Sequence, residues 1–208
     1  MIVLSDLLDK INAISSGVRL VAVSKNVTQN EVRNLYSQGQ IDFGENRIQE
    51  MAKKQSELAD LPIKWHMIGR LQDNKINQLI ALKPILWQSC DSFERAVAVN
   101  KRLNFKLDTL LQINSANEDT KQGVSVEMAA EIYHKISQEC ENINLLGVMS
   151  IGTHSDEVSK ISASFEATYK IFSNLKGAKI CSMGMSSDYE IAIKSGSNMI
   201  RLGSILYL

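Results

Sequence analysis

The sequence predicts an α/β protein: a single-domain (β/α)8 TIM barrel over residues 1–208, with an extra helix before the first strand. Three observations predict it. Short apolar runs recur eight times, segments of helical character separate them, and nothing divides the 208 residues into parts. The runs are RLVAVS from Arg19, IDFGEN from Ile41, IKWHMIG from Ile63, ILWQS from Ile85, DTLLQIN from Asp108, INLLGVMS from Ile143, AKICSM from Ala178 and MIRLG from Met199. Successive runs start 22, 22, 22, 23, 35, 35 and 21 residues apart. Strands alternating with helices imply βαβ units and parallel pairing. Eight such units suit a closed barrel; a doubly wound open sheet is the alternative.

Each element has its own warrant. MIVLSDLLDKINAI opens the chain as an amphipathic helix from about Val3 to Ile14, expected to cover one end of the barrel. It carries Asp6 and Asp9 and no basic n-region, so it does not read as a signal peptide. Helical segments then fill the gaps: TQNEVRNLYSQG, RIQEMAKKQSELA, LQDNKINQLIALK, SFERAVAVNKRL, VEMAAEIYHKISQEC and DEVSKISASFEATYKIFSNL. There are only 2 prolines and no low-complexity stretch. No apolar run approaches the roughly 18–20 residues needed to cross a bilayer, and the expectation is a cytoplasmic protein. The 3 cysteines, Cys90, Cys140 and Cys181, include no CxxC pair and read as free thiols. Lys+Arg and Asp+Glu are both 23, so the charge balance points to neither nucleic acid nor an anionic membrane. A monomer or weak dimer is expected.

In a barrel, chemistry sits at the C-terminal ends of the strands. The residues there are Ser24-Lys25, Gly44-Glu45-Asn46, His66 to Gly69, Ser89 to Asp91, Asn114, Ser150 to Gly152, Ser182 to Ser187 and Arg201 to Ser204. The last two units read SMGMSSDYEIAIKSGSNMIRLGS. Barrels often hold phosphate between the loops after strands seven and eight. Gly184, Ser186 and Ser187 follow strand seven, and Ser187-Asp188-Tyr189-Glu190 fits a capping box. Free backbone N–H groups at a helix start favour an anion. Arg201, Gly203 and Ser204 follow strand eight and add a cation, a permissive backbone and a hydroxyl. Such Ser/Gly clusters also mark ordinary turns.

Lys25 ends the first strand. A lysine there is ordinarily a solvated charge, and only roughly one free amine in 2,500 is neutral at pH 7. A Schiff-base lysine needs burial or a neighbouring cation, and the barrel centre is expected to supply them. A lysine imine facing a phosphate site suggests pyridoxal phosphate. His66 reads either as a site residue or as a satisfied core histidine. With His134 and His154 it shows no ligand spacing, so no metal is proposed.

Several motifs in order, LVAVSK, DFGENRIQE, KWHMIGRLQDNK, LLQIN with KQG, LLGVMSIG, and SMGMSSDYEIAI with IRLGS, resemble the pyridoxal phosphate homeostasis protein family. These are single-domain relatives of the alanine racemase N-terminal barrel, and the likeness covers nearly the whole chain. The resemblance implies that Lys25 carries pyridoxal 5'-phosphate as an aldimine and that Asn46 lies beside it. It implies phosphate contacts around Ser182, Ser186, Gly203 and Ser204, with Arg201 facing either the phosphate or the pyridine nitrogen. Asn74 and Lys75 belong to the shared motif. The chain departs from many members at Val27 and Thr28, where they carry a second lysine and a proline, and in ending at Leu208.

Racemising an amino acid needs proton donors and acceptors on both faces of the carbanion. Two-domain racemases supply a tyrosine from a second β-domain, for which this chain is expected to have no room. Tyr36, Tyr133, Tyr169 and Tyr189 fall on helical segments, and Tyr207 sits in the tail. The expected function is therefore non-catalytic cofactor binding in vitamin B6 homeostasis, with pyridoxal phosphate-dependent apo-enzymes as possible recipients. The alternatives are a weak amino-acid racemase and a barrel aldolase or isomerase using Lys25.

Overall fold

The computed structural model describes residues 3–116 and 122–207. The elements are α1 (Leu4–Ile14), β1 (Arg19–Val23), α2 (Gln29–Ser37), β2 (Asp42–Glu45), α3 (Ile48–Glu57), β3 (Lys64–Met67), a 3-10 turn (Asp73–Lys75) running into α4 (Ile76–Leu82), β4 (Leu86–Cys90), α5 (Phe93–Asn100) and β5 (Leu107–Asn114). They continue with β6 (Val124–Ser125), α6 (Ala129–Glu139), β7 (Ile143–Ser150), α7 (Val158–Asn174), β8 (Ile180–Ser182), α8 (Tyr189–Lys194), β9 (Met199–Leu202) and α9 (Ser204–Tyr207).

The strands pair in the order β4-β3-β2-β1-β9-β8-β7-β5, and β4 also pairs with β5, so the sheet closes on itself. Every pairing is parallel. The eight runs read from the sequence are these eight barrel strands. β6 is additional. β5 is 8 residues long and β4 only 5, with a register shift between Trp87 and Cys90. The pairing with β4 ends at Leu111, and β6 takes the free edge at Ile113 and Asn114. A two-residue strand leaves no periodicity to read.

Alternation along the strands sorts the apolar residues. Val21, Leu86, Leu110, Met149 and Met199 form one small cluster. Leu20, Ala22, Phe43, Trp65, Met67, Trp87, Leu111, Val148, Ile200 and Leu202 join the helices in the larger one. Leu4, Leu7 and Ile11 bury one stripe of α1. Its Leu4 N–H is accepted by Gln38 Oε1 at the C-terminal end of α2, 3.1 Å away. That end leads into β2, so α1 starts at the barrel end where the strands begin, and it also packs on α8. Cys90, Cys140 and Cys181 are all buried free thiols. No helix among the described residues is long and apolar enough to cross a membrane.

One loop detail corrects the sequence reading. Ser187 does not cap α8: Asp188 holds that position without a cap bond, and its Oδ1 accepts Met185 N–H at 2.6 Å. That bond tightens the turn and leaves Ser186 and Ser187 ahead of the helix. The capping box forms instead at Thr28 and Glu31, which open α2 three residues after Lys25.

Gly147 marks a bulge. The register between β5 and β7 shifts after Thr109, and Gly147 adopts φ +149°. A Cβ there would stand 1.9 Å from the Ile180 carbonyl oxygen of β8, which is backbone and has no room to yield. Gly147→Ala is expected to destabilise the barrel by about 3 kcal/mol, read as a lowered midpoint in urea unfolding.

Candidate functional site

The turn carrying Lys25 is held from below. Ser24 N–H donates to the Gly44 carbonyl of β2 at 3.0 Å, and Ser24 Oγ donates to Glu45 Oε1 at 2.7 Å. Lys54 Nζ, from α3, donates to the same Glu45 oxygen at 2.6 Å and to the Ser24 carbonyl at 2.5 Å. Glu45 and Lys54 are both buried. Asn26 takes a left-handed φ of 60°, and Val27 N–H returns to the Ser24 carbonyl at 3.1 Å. The backbone at Lys25 is thereby fixed while its side chain is exposed.

That exposure corrects the expectation that the barrel would bury Lys25. The buried lysine of this region is Lys54. It has a carboxylate and a carbonyl to offset its desolvation, and a cation without such partners stays in water. Lys54 was not singled out in the sequence, yet it lies three residues after Met51 and six after Ile48, on the buried stripe of α3.

Across the β1–β9 seam, two loops meet. Gly203 N–H donates to Ser186 Oγ at 3.1 Å, joining the loop after β9 to the loop after β8. A Cβ on Gly203 would lie 3.5 Å from Val23 Cβ, so this meeting point abuts the end of β1. The backbone N–H groups of Ser186, Ser187, Ser204 and Ile205 have no acceptor among the described residues. Ser204 begins α9 and is exposed. Ser186, Gly203, Ser204 and Lys25 therefore gather at one side of the rim.

Ser182 and Arg201 lie apart from them, below the rim. Arg201 is buried, and donates to Ser182 Oγ at 2.6 Å and to the Ser150 carbonyl at 2.8 Å. Burial pulls its pKa down to about 10, so it remains a cation at neutral pH. Ser182 Oγ donates to Gln88 Oε1 at 2.7 Å, and Gln88 Nε2 donates to His66 Nδ1 at 3.0 Å. His66 Nε2–H then donates to Asp42 Oδ1 at 2.8 Å, and Arg19 donates to the same oxygen at 2.5 Å. A continuous polar chain thus runs through the barrel from Arg19 to Arg201. Six of the barrel strands, β1, β2, β3, β4, β8 and β9, each contribute one polar side chain to it, which single-strand reading does not reveal. His66 is a satisfied interior residue of this chain. Burial lowers its pKa despite the carboxylate beside it. Burial also opposes ionisation of Asp42, but the bonds from His66 and Arg19 prevail and hold its carboxyl below the usual value.

Asn46 is exposed at the end of β2. Its backbone lies so close to Gly69 that a Cβ on Gly69 would fall 2.1 Å from the Asn46 carbonyl oxygen. Asn74 is exposed on the 3-10 turn, and Lys75 lines a cavity beside Asn46. Tyr207 points its Oη into the interior near Glu45 with no hydrogen-bond partner, and burial pushes its ionisation up. Lys121 of the KQG motif and Leu208 lie outside the described residues. Among those residues no three His, Cys, Asp or Glu side chains form a metal-binding group.

Comparison with known proteins shows the family and the fold. The family described as alanine racemase, N-terminal domain, matches residues 4–208. The pyridoxal phosphate homeostasis protein of Helicobacter pylori is 47% identical over 193 residues, covering 91% of this chain and 87% of the relative. The chain belongs to the pyridoxal phosphate homeostasis protein family. PipY of Synechococcus elongatus, solved with PLP bound, superposes with a TM-score of 0.88 at 28% identity, each chain covered in full at 100%. Alanine racemase from Clostridium difficile shares the fold, with a TM-score of 0.77 at 18% identity over 96% of this chain and 57% of its own.

Two outcomes follow from the buried groups of this family member. Lys54→Met strands the Glu45 carboxylate and is expected to cost about 3–5 kcal/mol at neutral pH, with Glu45→Gln added to it restoring part of the loss in urea unfolding. The folded His66 has a pKa below its usual 6.5. As pH falls through that value the unfolded chain gains a proton the folded chain refuses, so stability drops. Asp42 adds loss in the same direction at lower pH, as its depressed carboxyl protonates. Unfolding free energy is expected to fall between pH 7 and pH 5, and His66→Gln to flatten that slope.

Proposed function

We propose that this chain binds pyridoxal 5'-phosphate, linked covalently through Lys25 Nζ, and acts as a cofactor carrier rather than as an enzyme. The observation that carries this reading is the meeting of Ser186 and Gly203 beside the end of β1, with Lys25 on the same side of the rim. The donor set suits a phosphate: unpartnered N–H groups at Ser186, Ser187, Ser204 and Ile205, with the hydroxyls of Ser186 and Ser204. The PLP-bound PipY structure and the name of the Helicobacter pylori relative support the same ligand.

Each residue then has a physical task. Ser186, Gly203 and Ser204 hold the phosphate at the rim. Arg201 and Ser182 serve the ring side, at the pyridine nitrogen, a reading supported by their bond to each other below that rim. Asn46 flanks the ring from β2. Ser24, Glu45 and Lys54 fix the backbone from which Lys25 reaches, and its exposed amine is open to a ligand arriving from water. When bound, the cofactor supplies an electron sink for amine chemistry.

The carrier reading is supported by where the phenols stand. Tyr133 donates to the Leu145 carbonyl, and Tyr189 to Glu190, on helices outside the barrel. Tyr36 and Tyr169 lie on α2 and α7. None of these four is placed to protonate a carbanion at the Lys25 rim, and the Tyr207 hydroxyl is buried in the interior near Glu45. Delivery to pyridoxal phosphate-dependent apo-enzymes in the cytoplasm, by a monomer or weak dimer, completes the proposal.

Adding pyridoxal 5'-phosphate should produce a visible absorption band that Lys25→Ala abolishes; an unchanged band in that variant overturns the Lys25 assignment. Holo-protein incubated with L-alanine in D₂O should leave the Cα proton in place, and turnover with deuterium at Cα would establish the racemase instead.

A further inference from the structure

The motif WHMIGRLQDNK is only partly explained by the rim and the polar chain. His66 belongs to the interior, but Arg70, Gln72 and Lys75 do not. They line a cavity of about 420 Å³ with Asn46, Arg47 and the first turn of α3. Arg47, Arg70 and Lys75 form no ion pair and no side-chain hydrogen bond among the described residues. Glu50 is the one carboxylate lining the cavity. Elsewhere Arg19, Arg33 and Arg95 are each paired with an aspartate. Three unpaired cations facing one acid leave this cavity with two uncompensated positive charges.

The framework that gathers them is rigid. Ile68 N–H donates to the Glu45 carbonyl at 2.9 Å, and Ser89 Oγ donates to the Gly69 carbonyl at 2.6 Å. The contact of Gly69 with the Asn46 backbone admits no side chain. Arg95 bonds Asp73 and Asp91, fixing the 3-10 turn from which Lys75 projects. Holding like charges together costs free energy unless an anion joins them.

We propose that this cavity is a second ligand site, for the phosphate monoester of a small molecule. A phosphate monoester carries about −1.5 to −2 charge at pH 7, which matches the excess. Two guanidinium groups present paired donors to its oxygens, and the ammonium adds a point charge. The volume exceeds that of phosphate and falls in the range of small-molecule sites, roughly 300–1,000 Å³. Gln49 and Gln72 offer amides to a polar organic body. The inference does not rest on cofactor binding at Lys25.

The test maps binding residue by residue. Glycerol 3-phosphate and inorganic phosphate are titrated into the ¹⁵N-labelled full chain at about 0.15 M salt, where weak surface attraction is screened. Amide shifts should concentrate at residues 47–50 and 69–75, with glycerol 3-phosphate binding more tightly than inorganic phosphate. Arg70→Gln with Lys75→Gln should weaken that binding at least tenfold and leave the spectrum otherwise folded. Arg47→Gln provides the same reading if the double variant fails to fold, and Lys25→Ala should leave this site unaffected. Shifts confined to residues 184–188 and 203–205, or unchanged affinity in the charge variants, would overturn the proposal. So would binding of a hexaglutamate peptide without binding of glycerol 3-phosphate, which would make the cavity a protein-docking surface.

Discussion

Everything at the rim of this barrel depends on the pairing of β1 with β9. Arg19, Leu20, Val21 and Ala22 sit in register with Met199, Ile200, Arg201 and Leu202. This seam closes the sheet and brings the two ends of the chain together. It sets Val23, the last residue of β1 and two before Lys25, against the Gly203 backbone just past β9. Neither half of the site exists without the other. The meeting of the two rim loops in turn needs β8 next to β9, so that Ser186 reaches the Gly203 N–H. A parallel closed sheet satisfies both demands because all its strand ends emerge on one face.

The interior of the barrel is chemically mixed. A small apolar cluster, with Val21, Leu86, Leu110, Met149 and Met199, shares the enclosed region with Asp42, His66, Gln88, Ser182 and Arg201. Buried polar groups are tolerated where each has a partner. The chain from Arg19 to Arg201 supplies those partners in sequence, so the charge on Arg201 is held without a carboxylate touching it. A second buried device, Glu45 with Lys54, fixes the backbone at Ser24. Both devices hold a buried cation in place through its hydrogen bonds. The exposed Lys25 is thus mounted on a rigid base.

The eight strands and most helices were legible because apolar runs and helical stripes are local properties. The family motifs made Lys25, Asn46, Ser186, Gly203 and Ser204 visible as candidates by residue type and order. Other features were not legible. Gln88 and Asp42 carry no local mark of their place in a polar chain, since their partners are on other strands. Lys54 looked like one more helix lysine, although its position on the Met51 stripe was a signal. Ser187 fitted a capping pattern, but Asp188 took the cap position once it bonded Met185.

By itself, the sequence determined the alternation of strands and helices, the closed barrel it implies, and the family to which the chain belongs. These follow from periodicity and motif order along the chain. Only the tertiary structure decided that Lys25 is exposed while Lys54 is buried. It alone separated Ser182 and Arg201 from the rim serines, and gathered Arg47, Arg70 and Lys75 around one cavity. The reason is physical: desolvation and pairing of charge depend on neighbours that the fold brings from distant strands, and local sequence carries no record of them.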